Sequence, residues 1–175
     1  MKKMIFLVAA LLMISAAQAQ LVTSTSVNYE KNRKSIWLMR AGFTSAGLGD
    51  SDKAMGYNAS LEFNSSANKF YWGSGLVFGN WGGKDYVRTK LELPLNFGYK
   101  YGITDDVKLD GHFGGFVNYD LFGKEPDPAD EYKLGYGIQL GAGAWFQKFN
   151  LNLQYQIGLD DREEKNLMVS VGYAF

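Results

Sequence analysis

The chain has no cysteine, a single histidine and only 3 prolines in 175 residues. Without cysteine there are no disulfides, no thiolate metal centre and no residue to carry a lipoprotein anchor. One histidine excludes a histidine-built metal cluster. Charge of one sign is also missing: 18 basic residues stand against 18 acidic ones, whereas a nucleic-acid-binding domain needs a basic surplus. Beyond the amino terminus no apolar run approaches the ~18 residues of a membrane helix. The sequence has no phosphate-binding glycine loop and no EF-hand spacing, so nothing calls for a cofactor.

What is present begins with an export signal. Lys2 and Lys3 form a basic region, residues 4–14 an apolar run too short to span a bilayer, and Ala17-Gln18-Ala19 a small-x-small cleavage site. Residues 1–19 read as a cleaved signal peptide and residues 20–34, which are polar, as a periplasmic lead-in. Residues 35–175 read as one barrel domain. Cleavage removes two basic residues and leaves a balance of about −2.

Eight segments of strict apolar/polar alternation follow, at 35–44, 55–63, 70–79, 86–101, 107–121, 132–146, 149–159 and 166–175. Alternation with period two marks strands with one greasy and one polar face. The seventh shows it most plainly: Phe149, Leu151, Leu153, Tyr155, Ile157 and Leu159 alternate with Asn150, Asn152, Gln154, Gln156 and Gly158. Connections at 45–54, 80–85, 122–131 and 160–165 are longer and hold most of the loop charge. Those at 64–69, 102–106 and 147–148 are short. Long loops on one rim and tight turns on the other suit a membrane barrel, with the long set outside.

The last strand carries its apolar face to the final residue through Leu167, Val169, Val171, Tyr173 and Phe175. A soluble domain lets its terminus fray. This pattern resembles the carboxy-terminal sorting strand of bacterial outer-membrane β-barrels, and the resemblance implies that these five residues form a membrane-insertion signal read by the barrel-assembly machinery. Alternation alone leaves open a soluble lipocalin-like barrel with its apolar face inward. Three features favour the membrane: charges in mid-strand with glycines crowding the same face, aromatics near strand ends where they suit a lipid boundary, and strands of about 10 residues or more. A mean hydropathy of −0.20 fits strands that are half polar. The expected fold is all-β, an eight-stranded antiparallel up-and-down transmembrane barrel with a polar interior.

Pro94 interrupts a central strand, and a bulge there would make it tolerable. Its surroundings, Leu91-Glu92-Leu93-Pro94-Leu95, resemble the Leu-Glu-aliphatic-Pro-Leu motif of porin-family (PorT-like, OmpX-like) outer-membrane barrels. Residues 111–119, Gly141-Ala142-Gly143, residues 155–159 and the terminal Val-Gly-Tyr-Ala-Phe resemble that family in the same order. The resemblance implies a Gram-negative outer-membrane location and leaves the activity open.

Two constellations bear on chemistry. His112 with Asp110 two residues before it suggests a His–Asp pair for a lipid-modifying enzyme. That chemistry needs a serine nucleophile, and Ser60 and Ser170, although on the same face, are not placed beside it. The bland reading is a polar plug residue low in the wall. The interior charges Arg40, Arg88, Lys90, Lys100, Lys108 and Lys133 face Glu62, Glu92, Asp110 and Asp120, and are expected to form a network filling the lumen, because buried charges must be paired or wetted. A narrow gate for water or ions is the functional alternative to a filled barrel. Asp127, Asp130 and Glu131, or Asp160, Asp161, Glu163 and Glu164, offer hard oxygen ligands for a divalent cation but are expected to be a solvated rim. The expected role is non-enzymatic, envelope-structural or adhesive, through the outer loops. Its partners are outer-membrane lipid and lipopolysaccharide and a host or cell-surface ligand, with no nucleic acid, and the barrel is a monomer.

Overall fold

The structure is a computed structural model that describes residues 33–48, 54–82, 87–124, 134–160 and 164–175. The signal peptide, most of the lead-in segment, and Lys133 lie outside them, as do Asp127, Asp130 and Glu131. Eight strands run in order: β1 Arg33–Leu48, β2 Ala54–Ala67, β3 Phe70–Gly82, β4 Val87–Gly102, β5 Val107–Lys124, β6 Leu134–Phe146, β7 Phe149–Gly158 and β8 Glu164–Ala174. Each pairs with its sequence neighbour, and β1 pairs antiparallel with β8 to close the barrel. Closure leaves no unpaired strand edge, which lipid would penalise by several kcal/mol per unsatisfied group. The seam extends to the final residue: Phe175 N donates to the Trp37 carbonyl at 3.0 Å and Trp37 N to the Phe175 carbonyl at 3.3 Å.

The alternation decides which face is outside. On β6, β7 and β8 burial alternates residue by residue, with most polar or small residues buried and most apolar ones exposed; Trp145 and Met168 are the buried apolar exceptions. Leu140 is 66% exposed and Phe113 63%, while Lys90, Glu92 and Gln156 are wholly buried. A soluble barrel has the reverse arrangement, so the lipocalin-like alternative is excluded and the exposed belt is the lipid face. Rings gather at the short-turn rim in edge-to-face pairs, with centroids 5.3 Å apart for Trp37–Phe63, 5.1 Å for Phe70–Tyr99 and 5.4 Å for Phe149–Tyr173. Their amphipathic faces suit the membrane interface.

Two of the three short connections are two-residue turns whose first residue is left-handed, Asn68 (φ 58°) and Gln147 (φ 53°). Asparagine tolerates that conformation better than glutamine does. Pro94 departs from expectation. The irregularity in the β4–β5 register lies between Thr89 and Lys90, not at the proline. Instead the β3–β4 ladder lacks two successive pairings at unchanged register, with Ser74 paired to Leu95 and Val77 to Glu92 but none between them. Pro94 has no N–H to give β3, and its carbonyl is satisfied by the Ser74 hydroxyl at 2.9 Å.

Candidate functional site

The candidate site is the lumen, which fills in two tiers. Near the short turns, Asp110 on β5 accepts three hydrogen bonds: from Tyr71 Oη on β3 at 2.8 Å, from Trp145 Nε1 on β6 at 2.6 Å and from His112 Nδ1 at 2.9 Å. The Lys100 ammonium lies over the Trp145 ring at 4.3 Å and the Tyr71 ring at 4.7 Å, a cation–π geometry that gains from exclusion of water. Leu38, Trp145 and Ala174 form an apolar cluster from β1, β6 and β8. Arg40 pairs with Glu62 and donates from Nε to Asn150 Oδ1 at 2.9 Å, while Ser60 Oγ donates to Glu62 at 2.8 Å.

Large side chains fit because the facing strand has no side chain beneath them. A Cβ at Gly98 would overlap the Tyr71 ring, one at Gly141 the His112 imidazole, and one at Gly143 the Asp110 carboxylate. The glycines on the inward face are therefore the complement of the bulky polar groups.

Toward the long loops, Lys90 on β4 pairs with Glu164 on β8, and both are buried. In the closed order these two strands lie opposite each other, so the ion pair spans the lumen. Gln156 Nε2 donates to Glu92 Oε1 at 2.6 Å and to Gln139 Oε1 at 2.9 Å. Gln154 Nε2 donates to Gln139 Oε1 at 2.8 Å, and Gln139 Nε2 to Asn96 Oδ1 at 2.5 Å. Arg88 and Asp120 approach to 3.9 Å. Amide and charge interleave, which is how buried charges are kept solvated without water.

Of the residues named from sequence, Arg40 meets Glu62, Arg88 meets Asp120, and Asp110 meets His112. Lys108 shares the inward parity but, as the second residue of β5, is exposed. Glu164, grouped with the loop carboxylates, is the first residue of β8 and faces the lumen, while Asp161 and Glu163 lie outside the described residues. Tyr71, Trp145 and the glutamine chain were not placed in the network. Their inward parity is the signal that marks them. His112 lies with its ring against Gly141; Ser60 is engaged by Glu62, and Ser170 pairs by register with Gly42 and Asn152. Among the described residues no three His, Cys, Asp or Glu side chains converge as a metal centre.

No family model and no curated protein matches the chain in sequence. Solved structures match it in fold. Neisserial surface protein A has 10% identity over 81% of this chain and 97% of its own, with a TM-score of 0.61. The outer membrane enzyme PagL has 17% identity over 81% and 99%, with a TM-score of 0.55. Ail, the attachment invasion locus protein of Yersinia pestis, has 14% identity over 82% and 99%, with a TM-score of 0.50. The architecture is that of the small eight-stranded transmembrane barrels, and at these identities the likeness is one of fold.

Proposed function

We propose that this protein is a non-enzymatic outer-membrane barrel, exported by its N-terminal signal, whose wall is a rigid anchor for an envelope-structural or adhesive role carried by its outer loops. The observation that supports this reading is the lumen: side chains from every strand interlock across it in two tiers, which favours a plug over a passage. Eight strands enclose room for little besides side chains. The porin-family resemblance and the fold shared with an attachment protein point the same way. The chain would work as a monomer in contact with outer-membrane lipid and lipopolysaccharide, reached through the barrel-assembly machinery.

The test is a chain in which the outer connections at 45–54, 80–85, 122–131 and 160–165 are replaced by short turns. It is expected to reach the outer membrane and shift in gel mobility on boiling, yet lose cell-surface binding or envelope protection. Full retention of those phenotypes would sink the reading. In planar bilayers the intact protein is expected to give no unitary conductance, and steady opening would favour a narrow channel instead. His112→Ala is expected to leave the lipid A profile unchanged, and an altered profile would favour a lipid-modifying enzyme; the fold neighbour PagL is an outer membrane enzyme.

A further inference from the structure

The upper tier leaves four buried oxygens without a protein hydrogen-bond partner: Glu92 Oε2, Asn118 Oδ1, Gln156 Oε1 and Asn166 Oδ1. Such groups are uncommon in folded proteins, and each one costs about 1–3 kcal/mol unless something satisfies it. Asn150 Nδ2 and Asn152 Oδ1, lower on β7, are also without a partner, but the four of the upper tier fall into two facing pairs. Glu92 and Asn118 face each other across the β4–β5 ladder, and Gln156 and Asn166 across the β7–β8 ladder. The hydrogen bond from Gln156 to Glu92 joins the two pairs across the lumen. Rotating the Gln156 and Asn166 amides does not satisfy their oxygens. Gln156 Nε2 already donates to two acceptors, and Asn166 Nδ2 donates to Glu164 Oε1 at 3.2 Å, so both carbonyl oxygens must point the other way.

Charge adds an independent reason. Among the described side chains, the lumen holds the cations Arg40, Arg88, Lys90 and Lys100 and the carboxylates Glu62, Glu92, Asp110, Asp120 and Glu164. In the upper tier alone, Arg88 and Lys90 stand against Glu92, Asp120 and Glu164, one negative charge in excess. Lys90 is the strand neighbour of Glu92 and is held across the lumen by Glu164. Glu92 accepts from an uncharged amide at Oε1, and its Oε2 has no protein partner.

We propose that this cluster binds one monovalent alkali cation. Glu92 Oε2 and Gln156 Oε1 are its inner ligands, and Asn118 and Asn166 reach it directly or through water. The donors are hard oxygens, one carboxylate among carboxamides, which suit an alkali ion and not a transition metal. A single positive charge neutralises the tier, whereas a divalent ion would leave it positive. The cation would join β4, β5, β7 and β8 and so stiffen the loop end of the barrel.

The test is thermal unfolding of the folded barrel in detergent micelles, in sodium chloride, potassium chloride or N-methyl-D-glucamine chloride at matched ionic strength. The midpoint is expected to rise by about 3–5 °C in one of the alkali salts at roughly ten times its dissociation constant, to saturate with concentration, and to lose that increment in Glu92→Gln. Equal midpoints in the three salts, or an increment that survives Glu92→Gln, would overturn the proposal and leave Glu92 as a neutral acid among waters. Should the variant fail to fold, sodium NMR on the wild-type barrel decides. Line broadening displaced by potassium supports the site, and the absence of displaceable broadening refutes it.

Discussion

Replacing Asp110 with alanine tests the lower tier. The carboxylate accepts from Tyr71, Trp145 and His112 and lies in the field of Lys100. Its removal strands three buried donors at once. Each buried donor left without an acceptor costs about 1–3 kcal/mol. Water entering the new space recovers part of this, so the expected loss is about 3–6 kcal/mol. That is a large share of a typical folding free energy of about 5–15 kcal/mol. Asp110→Asn keeps one acceptor oxygen but turns an amide toward the donors, and it should fall between alanine and wild type. Tyr71→Phe removes a single donor and should cost about 1 kcal/mol. Urea unfolding of the refolded barrel, followed by tryptophan fluorescence, gives the three values. Trp145 reports on the tier directly because its indole is one of the donors. If Asp110→Ala unfolds within about 1 kcal/mol of wild type, the tier is not a cooperative plug and the reasoning fails.

Other perturbations separate the two faces of the wall. Lys90→Met alone should destabilise the barrel by about 3–5 kcal/mol by leaving Glu164 buried without its counter-ion. The double variant Lys90→Met, Glu164→Met should recover most of that loss in a denaturant cycle. Leu140 is exposed at the middle of β6, and Leu140→Arg should cost about 2–4 kcal/mol in a bilayer; a neutral result would argue against lipid contact there. Gly98→Val drives methyl groups into the Tyr71 ring and should cost about 1–3 kcal/mol by overpacking, read as a lower unfolding midpoint. Deleting Phe175 removes both seam hydrogen bonds to Trp37 and should lower the fraction of heat-shifting, folded protein on gels.

Much of the fold was legible because a barrel wall writes itself into the sequence at period two. In β7 every odd residue from Phe149 to Tyr155 faces lipid and every even one from Asn150 to Gln156 faces the lumen. The strand count, the closing role of the terminal strand and the separation of faces all follow from such runs. Legibility failed where a local rule competed with parity. Trp145 and Tyr71 sit on inward positions, but aromatics are expected at the lipid boundary. Their polar atoms, bonded to Asp110, are what allow rings into the core. Glu164 was read as loop because it borders a charged run, yet parity with Asn166 and Ser170 turns it inward. Pro94 was expected to need a bulge; instead the β3–β4 ladder is interrupted there, and the Ser74 hydroxyl on β3 donates to the proline carbonyl. Which cation meets which carboxylate across the lumen is set by register and tilt, and no periodicity within one strand encodes it.

The central claim is that the apolar face meets lipid and the polar face is sealed inside. The chain has no native cysteine, so single cysteines along β7 at residues 149–156 can each carry a nitroxide in bilayer-inserted protein. Collision rates with oxygen, which concentrates in lipid, should then be high at Leu151, Leu153 and Tyr155 and low at Asn150, Asn152 and Gln154, with period two. A maximum at the even positions, or a flat profile, would contradict the account.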